Sequence, residues 1–295
     1  MSKNGVCAIV VFYKAKESDF LNLIETSRQF EKTFVIFNSI DKTNQDLISK
    51  YLQANNIITV INQDNEGVSV ALNQGIKKAI ESGFKFVLTL DQDSTLTKNM
   101  VERMLQTYQQ IIKDGIDENT IGILEPVLVD KNTGFKKIRS QNLTRGYDEI
   151  ADCYTSGNLI NTKIFQKIGF YYEPFFVYGT DTDFNIRVQN HGKKIYEASK
   201  AELIHQEGSL KFYKIFGKTF SATNHSPFAR YYIARNTFLL WKKYWLSNPK
   251  WFLKSINWYS RTILKVLLFE EKKWTKFKML LKGTWHGLIN KTGKL

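Results

Sequence analysis

The stretch KFVLTLDQDSTLT, residues 85–97, joins an apolar run to a short acidic triplet. Residues 86–90 are apolar or β-branched, which is typical of a strand buried on both faces of a sheet. Asp91 and Asp93 follow at once, separated by Gln92. Two carboxylates in this position indicate either a solvated turn or the ligands of a hard divalent cation such as Mg²⁺ or Mn²⁺, which prefers oxygen ligands.

The segments around this stretch alternate between strand and helix patterns. Strands are predicted at 6–13, 33–38, 57–62 and 84–90, and helices at 17–30, 44–54, 67–83 and 98–114, the last with Thr97 as its N-cap. This spacing predicts repeated βαβ units, an α/β fold and a mostly parallel central sheet flanked by helices. Ligands of such sheets bind beyond the carboxyl ends of the strands, where Asp91, Asp93, Asn38 and residues 62–67 are expected.

Beyond residue 120 the pattern is less regular. A strand is predicted at 121–130, a helix near 162–168, a helix near 181–191 and a strand near 194–197. Residues 228–246 and about 251–290 are predicted to be helical. The second half therefore adds further α/β elements and ends in helices.

The net charge of +14 is distributed unevenly along the 295 residues. Residues 241–295 hold 13 Lys and Arg against two acidic residues, a charge of +11, whereas residues 1–240 carry +3. All six tryptophans also lie in residues 241–295. A basic, aromatic segment indicates an anchor on anionic lipid, a helical hairpin that covers the rest of the chain with its tryptophans, or a nucleic-acid site.

Targeting signals are weak in this sequence. No run of about 18 uncharged apolar residues predicts a transmembrane helix, and the apolar run near the N-terminus is shorter than that of a signal peptide. Cys7 and Cys153 belong to no C-x-x-C pair; a buried, reduced thiol is expected for Cys7, with a single disulfide as the alternative. These features favour a cytoplasmic protein.

Three motifs carry a resemblance to a known family. Asn65-x-Gly67, Ala71-x-Asn73-x-Gly75 and the sequence LDQDS at 90–94 together resemble the family 2 glycosyltransferases, especially their bacterial rhamnosyltransferase branch. The resemblance covers most of residues 5–240 and implies a GT-A fold. It assigns residues 1–240 to a catalytic domain, with a nucleotide-sugar half at about 1–120 and an acceptor half at 121–240. Residues 241–295 form a helical basic and aromatic tail.

The resemblance implies roles for individual residues on the donor side. Asp91 would contact the nucleoside, whereas Asp93, helped by His205 of the pattern His205-x-x-Gly208, would hold Mg²⁺ or Mn²⁺ on the diphosphate. The nucleotide-sugar pocket would be lined by Phe12, Tyr13, Asn38, Asn65, Gly67, Asn73, Arg230 and Arg235. The alternatives are core packing for Phe12, capping and packing for Asn73 and a solvated helix face for the arginines. Phe37 stands where the family pattern has an aspartate.

On the acceptor side, the resemblance makes Asp181 the general base and Asp183 its support. Favourable placement of both carboxylates at a helix N-terminus is the structural alternative. Ser156 and Gly157 resemble the family's turn beneath the acceptor, or are simply a tight turn. Tyr178 lies on the same side and replaces the first aspartate of the family's acidic motif.

The function implied is inverting, metal-dependent transfer of L-rhamnose from dTDP-L-rhamnose to a glycan acceptor. The acceptor is expected to be lipid-linked, in bacterial cell-surface polysaccharide synthesis such as that of cell wall or capsule. The enzyme is expected at the inner face of the cell membrane, held by its tail. One alternative keeps the fold but uses a UDP-hexose donor; another is a non-catalytic protein that binds nucleic acid or a membrane surface. The small net charge of residues 1–240 disfavours the last.

Overall fold

The computed structural model describes residues 5–52, 56–140, 144–205, 211–215 and 218–295. The chain divides into two compact units, the first comprising Met1–Glu173 and Thr180–Gln206 and the second comprising Pro174–Gly179 and Glu207–Leu295. The predicted domains met at residue 240, whereas these units divide near residue 206. The assignment of a donor half and an acceptor half stays a prediction.

The first unit contains ten strands and six α-helices among its described residues. The strands are β1 (Val6–Phe12), β2 (Lys32–Asn38), β3 (Ile57–Asn62), β4 (Phe86–Asp91), β5 (Thr95–Leu96), β6 (Ile121–Asp130), β7 (Lys136–Lys137), β8 (Tyr147–Ile150), β9 (Leu159–Asn161) and β10 (Lys194–His205). The helices are α1 (Glu17–Ser27), α2 (Lys42–Tyr51), α3 (Val68–Glu81), α4 (Met100–Lys113), α5 (Lys163–Ile168) and α6 (Thr180–Asn190). The predicted alternation of the first half is confirmed.

The ten strands form one sheet. Eight of them follow the order β3-β2-β1-β4-β9-β6-β10-β5, while β7 pairs with β6 and β8 pairs with β10. The four N-terminal strands in this order are parallel, and so are β6 and β10. The short strand β9 is antiparallel to both β4 and β6. The long pairings are therefore parallel, as predicted, and the antiparallel pairings are short.

The sheet is buried on both faces, as the continuous apolar runs predicted. Successive residues of β1 point to opposite sides, so that Val10 joins one hydrophobic cluster and Ile9 the other. Cys7 and Cys153 are both buried and free, which excludes the alternative of a disulfide between them. Burial raises the pKa of the Cys7 thiol well above its usual value.

The start of α4 differs from the prediction. Asn99, not Thr97, is the N-cap, and its backbone is left-handed with φ of 59°. The Thr97 hydroxyl instead donates a hydrogen bond to the carbonyl of Glu202, at 2.7 Å. Because this long-range partner uses the hydroxyl, the local capping pattern did not decide where the helix begins.

The second unit is mostly helical in its described part. A hairpin of β11 (Lys211–Ile215) and β12 (Lys218–Ala222) precedes α7 (Pro227–Tyr244), α8 (Pro249–Phe269) and α9 (Lys273–Leu288). The region predicted as helical at 251–290 is thus two helices. Among the described residues, none of these helices combines the length and apolarity that crossing a membrane requires.

Candidate functional site

Asp91, Asp93 and His205 come together at the carboxyl edge of the sheet. Asp91 ends β4, and β5 then pairs antiparallel with the end of β10, with Thr95 opposite Ile204. This pairing brings His205 close to the acidic triplet. Its Nε2 lies 4.0 Å from Oδ2 of Asp91, and its Nδ1 lies 3.7 Å from Oδ1 of Asp93.

These three side chains have the donor set of a divalent metal site. One ligand atom from each lies within 4.8 Å of the others, and both aspartate side chains are 44% exposed. Removal from bulk water raises the pKa of Asp91; His205 opposes this effect, and the charges of Asp93 and Asp181 add to it. Two carboxylate oxygens and an imidazole nitrogen fit Mg²⁺ or Mn²⁺, which would relieve the repulsion between the acids.

Two buried serines hold this cluster in place. The Ser94 hydroxyl lies 2.7 Å from the Ser156 hydroxyl and 3.1 Å from Nδ1 of His205. The Ser156 hydroxyl also accepts a hydrogen bond from the backbone N–H of Asp91, at 3.0 Å. The sequence placed Ser156 on the acceptor side, but its contacts position the acidic triplet. The sequence predicted no separate role for Ser94, which was considered only as the last residue of the motif LDQDS.

Gln92 connects the triplet to the loop after β1. Its Oε1 accepts from the backbone N–H of Tyr13, at 2.8 Å, and its amide lies 3.4 Å from a carboxylate oxygen of Asp19. Tyr13 itself is 41% exposed. The middle residue of the triplet therefore fixes the loop whose aromatic side chain remains available to a nucleobase.

Phe12 lies in the core rather than on the surface of the predicted nucleotide-sugar pocket. Its ring is fully buried and packs edge-on against Phe20 and Phe37, with ring centroids 5.3 Å apart in both pairs. The structural alternative is therefore correct for Phe12, because the last inward-facing position of β1 belongs to the core. Phe37, which stands where the family pattern has an aspartate, is part of the same aromatic group.

The loop between β3 and α3 is shaped by three asparagine contacts. Asn38 is buried and donates to Oδ1 of Asn65 at 2.9 Å, while its own Oδ1 accepts from the backbone of Glu66. Oδ1 of Asn65 also accepts from the N–H of Gly67, whose φ of 92° favours glycine. Asn38 thus positions the loop, and Asn65 and Gly67 are its site-facing candidates.

Asn73 is a structural residue. It is 2% exposed, its amide donates to the carbonyl of Tyr171 at 2.9 Å, and its oxygen accepts from the N–H of the same residue. A third bond reaches Glu173. Because these contacts use the whole amide, the packing alternative replaces the prediction that Asn73 reaches a ligand.

Asp181 and Asp183 have different surroundings in the first turn of α6. Asp183 is fully buried and pairs with Nε of Arg187 at 2.8 Å, whose guanidinium also donates to the carbonyls of Ile168 and Phe170. Asp181 accepts from the N–H of Thr182, at 2.8 Å. Removal from water raises the pKa of Asp181, against the hydrogen bonds of Thr182.

The start of α6 is joined to the start of α3. The hydroxyls of Ser69 and Thr180 are both buried and lie 3.0 Å apart. This bond links the segment that contains Gly67 to the one that contains Asp181. The metal-type cluster, the asparagine loop and the candidate base are thus parts of one unit. Burial is the main cause of the raised pKa of Asp91, and the charge of Asp181 makes a smaller contribution.

Comparison with known proteins decides the family. The family model described as glycosyl transferase family 2 matches residues 7–169, which include the whole N-terminal βαβ region and the acidic triplet. This match spans more than half of the chain. The chain belongs to the family 2 glycosyltransferases. The family resemblance drawn from the three motifs is confirmed.

Two curated proteins are similar to this glycosyltransferase over most of its length. The dTDP-rhamnosyl transferase RfbF of Shigella flexneri is 26% identical over 252 residues, covering 81% of this chain and 81% of that protein. The low-salt glycan biosynthesis hexosyltransferase Agl10 of Haloferax volcanii is 23% identical over 318 residues, covering 97% of this chain and 92% of its own. Both relatives are named as enzymes that transfer sugars.

A solved structure shows the same fold. Residues 1–349 of S. aureus TarS, crystallised in complex with UDP-GlcNAc, align with a TM-score of 0.52 and 13% identity, over 97% of this chain and 72% of that one. This likeness confirms the predicted GT-A fold. At 13% identity, the likeness shows the fold alone.

Gly157 has a packing role in this glycosyltransferase. Its φ is 92°, and a Cβ at this position would lie 2.7 Å from Cγ of Pro126. Its N–H donates to the carbonyl of Thr89 in β4. The turn that carries Gly157 and Ser156 is therefore fixed against the strand that ends in Asp91, and contact with an acceptor stays a prediction.

The second unit holds three predicted site residues. Arg230 is buried and forms an ion pair with Glu270, which also binds Lys276 at 3.0 Å. Arg235 is fully buried and donates to the carbonyls of Phe175 and Gly293. Because both guanidinium groups have internal partners, these contacts give them structural roles, and neither forms a solvated helix face.

Tyr178, the third of these residues, has a left-handed backbone with φ of 63° and an edge-on ring contact with His225. His205 is described, but Gly208, the other end of the predicted pattern, lies outside the described residues. Tyr178 precedes Asp181 by only three positions, and no sequence pattern predicts that the two residues belong to different units.

The sequence did not predict a buried pair of glutamates in the first unit. Glu125 on β6 and Glu197 on β10 are register partners, and both are 1% exposed. Burial raises the pKa of Glu125 to about 8, although the Arg139 guanidinium lies 3.3 Å away and opposes the shift. Glu125 also accepts from the N–H of Tyr154, at 2.7 Å. Glu125 thus anchors the segment that leads to the Ser156 turn, whereas Glu197 accepts from the N–H groups of Arg139 and Ser140. No local sequence pattern signals these contacts.

Proposed function

We propose that the protein is an inverting, metal-dependent glycosyltransferase that uses dTDP-L-rhamnose as donor. The observation that carries the proposal is the cluster of Asp91, Asp93 and His205 at the carboxyl edge of the sheet. The similarity to a dTDP-rhamnosyl transferase supports the choice of donor. The remaining residues of the first unit can then be given roles around this cluster.

Asp93 and His205 would hold Mg²⁺ or Mn²⁺, and Asp91 would face the nucleoside side of the same site. When bound, the metal would neutralise the charge that develops on the departing dTDP. Tyr13, Asn65 and Gly67 would line the nucleotide pocket. Ser94 and Ser156 would keep the imidazole and the triplet in register through their hydrogen bonds.

Asp181 would act as the general base on the acceptor. Its carboxylate takes the proton of an acceptor hydroxyl as the oxygen forms a bond to the anomeric carbon of the sugar. The bond from this carbon to the β-phosphate oxygen breaks in the same displacement, and dTDP leaves with that electron pair. One displacement inverts the anomeric centre. Asp183 would keep the first turn of α6 in place through Arg187.

The acceptor is proposed to be a lipid-linked glycan of cell-surface polysaccharide synthesis. A charge of +11 in residues 241–295, together with all six tryptophans, supports a location at the inner face of the membrane. An enzyme held at that surface meets a lipid-linked acceptor in two dimensions. Ser156, Gly157 and Tyr178 remain the predicted acceptor-side residues.

Removal of the Asp93 charge tests the proposal. The substitution Asp93→Asn should lower the slow, metal-dependent hydrolysis of dTDP-L-rhamnose by about 100-fold or more, because a preorganised electrostatic partner of the leaving group is lost. The assay compares Mg²⁺, Mn²⁺ and a chelator. Asp46→Asn, which removes an exposed carboxylate of α2, is the matched control and should keep full activity. Full activity of the Asp93 variant without metal would exclude the proposed role.

Two alternatives are kept because specific observations favour them. The Haloferax volcanii relative is named as a hexosyltransferase, which favours a UDP-hexose such as UDP-galactose or UDP-glucose as the second candidate donor. The basic tail favours a non-catalytic protein that binds nucleic acid or a membrane surface. Tight, salt-sensitive RNA binding without hydrolysis of any nucleotide sugar would support that second alternative.

A further inference from the structure

One face of α9 is packed closely against α7. A Cβ at Gly283 would lie 2.2 Å from the carbonyl oxygen of Tyr231, and one at Gly287 would lie 2.7 Å from that of Arg235. Both neighbours are backbone atoms, which cannot rotate away. The two glycines therefore let the helix backbones approach closely, and they fix which face of α9 points inward.

The opposite face of α9 is apolar and exposed. Trp274, Leu281, Trp285 and Leu288 are 68%, 55%, 60% and 47% exposed. Their spacings of seven, four and three residues place them along one side of a helix. We define these four side chains as the tryptophan–leucine face. The glycine side holds the helix against α7, and the tryptophan–leucine face is left exposed by the residues that the structure describes.

Positive charge accompanies the apolar side chains. Lys278 and Lys282 are exposed on α9 between the two tryptophans. The outer side of α8 repeats the pattern, with Leu253, Leu264 and Leu268 each more than half exposed. Tryptophan and leucine beside lysine, on a helix too polar to span a bilayer, describe a surface that lies in the interface of an anionic membrane.

We propose that the tryptophan–leucine face of α9 inserts into the headgroup region of an anionic lipid membrane while Lys278 and Lys282 bind lipid phosphates. Charge favours this occupant over a second copy of the chain, since a dimer through this face would bring two segments of charge +11 together. The inference deepens the proposed membrane location. It is independent of the donor, because vesicle binding is measured without any nucleotide sugar.

The test uses the full chain and sedimentation with vesicles of phosphatidylcholine alone or mixed with phosphatidylglycerol. The wild type should bind the mixed vesicles, with a blue shift of tryptophan emission. The double variant Trp274→Ser/Trp285→Ser should lose about 10-fold or more in affinity, since the two aromatic side chains that insert into the headgroup region are removed. The pair Lys278→Glu/Lys282→Glu should remove the preference for the anionic lipid.

Two controls lie in the first unit, where similar side chains are exposed. Phe135→Ser removes a 67% exposed aromatic ring, and Lys131→Glu reverses an exposed charge; both variants should bind as the wild type does. Unchanged vesicle binding by the tryptophan double variant would overturn the proposal. So would self-association in the absence of lipid that the same variant abolishes, or binding of RNA with no binding of vesicles. Loss of donor hydrolysis with intact vesicle binding would instead count against the proposed function alone.

Discussion

Asp91 and Asp93 are chemically identical but have different partners. Asp91 is the last residue of β4 and has its N–H bound to the Ser156 hydroxyl, whereas Asp93 lies beyond the strand and closer to Nδ1 of His205. The backbone of Asp91 is thus fixed by the turn that contains Ser156. This difference supports the unequal roles proposed for the two carboxylates.

At the residue scale, Asp181 should make activity depend on pH. A general base acts as the carboxylate, so the rate of transfer should rise with pH through the pKa of Asp181, which is raised above the ordinary value of about 3.9. The acid limb of kcat/KM against pH should therefore lie above the range of an exposed aspartate. Asp181→Asn should abolish transfer at every pH and leave binding of dTDP intact.

A second variant isolates the electrostatic part of this effect. The charge of Asp152 contributes to the raised pKa of Asp181, so Asp152→Asn should move the acid limb to lower pH. The shift should be small, because the Asp152 side chain is 77% exposed and salt screens it. Asp46→Asn serves as the control and should leave the profile unchanged. If Asp181→Asn instead retained activity with the same acid limb of kcat/KM against pH as the wild type, Asp181 would be excluded as the base.

At the scale of elements, α7 holds a segment of unusual backbone. Phe176 and Tyr178 are both left-handed, with φ of 64° and 63°. The buried amide of Asn236 donates to the carbonyls of Phe175, Val177 and Tyr178, at 3.0, 2.9 and 2.7 Å. A left-handed backbone costs free energy at any residue other than glycine, and it persists only where surrounding contacts fix it. Asn236 supplies these contacts within the second unit.

Removal of this amide should destabilise the second unit. Asn236→Ala should lower its free energy of unfolding by about 1–3 kcal/mol, because the carbonyls of Val177 and Tyr178 lose this buried donor, whereas that of Phe175 keeps Arg235. Urea unfolding followed by tryptophan fluorescence reports this unit selectively, since all six tryptophans lie in residues 241–295. The exposed Asn257 of α8 provides the control, and Asn257→Ala should change the value by less than about 0.5 kcal/mol. Equal midpoints for the two variants would contradict the role of Asn236.

At the scale of the whole molecule, charge and chemistry are separated along the chain. Residues 1–240 are nearly neutral and contain the acidic triplet and the candidate base, whereas residues 241–295 carry most of the positive charge. A nucleotide released from the first unit and a membrane bound by α9 would therefore use different parts of the protein. Binding to one can be measured without the other.

The choice of donor can be tested by thermal protection of the whole protein. A ligand that binds the folded state raises the midpoint by mass action, so dTDP should protect more than UDP at equal concentration with Mg²⁺ present. Calorimetry is the suitable measurement, because tryptophan fluorescence reports residues 241–295 alone. Stronger protection by UDP would favour the UDP-hexose alternative. Asp93→Asn should abolish the part of the protection that depends on metal.

Local patterns were enough to predict most of the framework. The alternation from β1 to α4, the buried thiol of Cys7 and the acidic triplet after β4 all follow from the order of apolar and polar residues. Family motifs added the GT-A fold. The sequence left alternatives open for Phe12 and Asn73, whose packing partners are distant in sequence, and the predicted Thr97 cap was wrong because its hydroxyl bonds to Glu202.

The sequence by itself determined the α/β class, the position of the acidic triplet at a strand end and the separation of charge between the two parts of the chain. These properties depend on the order of residues within short windows. The family resemblance implied that His205 helps Asp93, but only the tertiary structure decided that His205 lies beside both aspartates. The antiparallel pairing of β5 with β10 closes the separation of 111 residues between Ser94 and His205. The tertiary structure likewise decided which tryptophans are exposed, because the glycine face of α9 packs on α7.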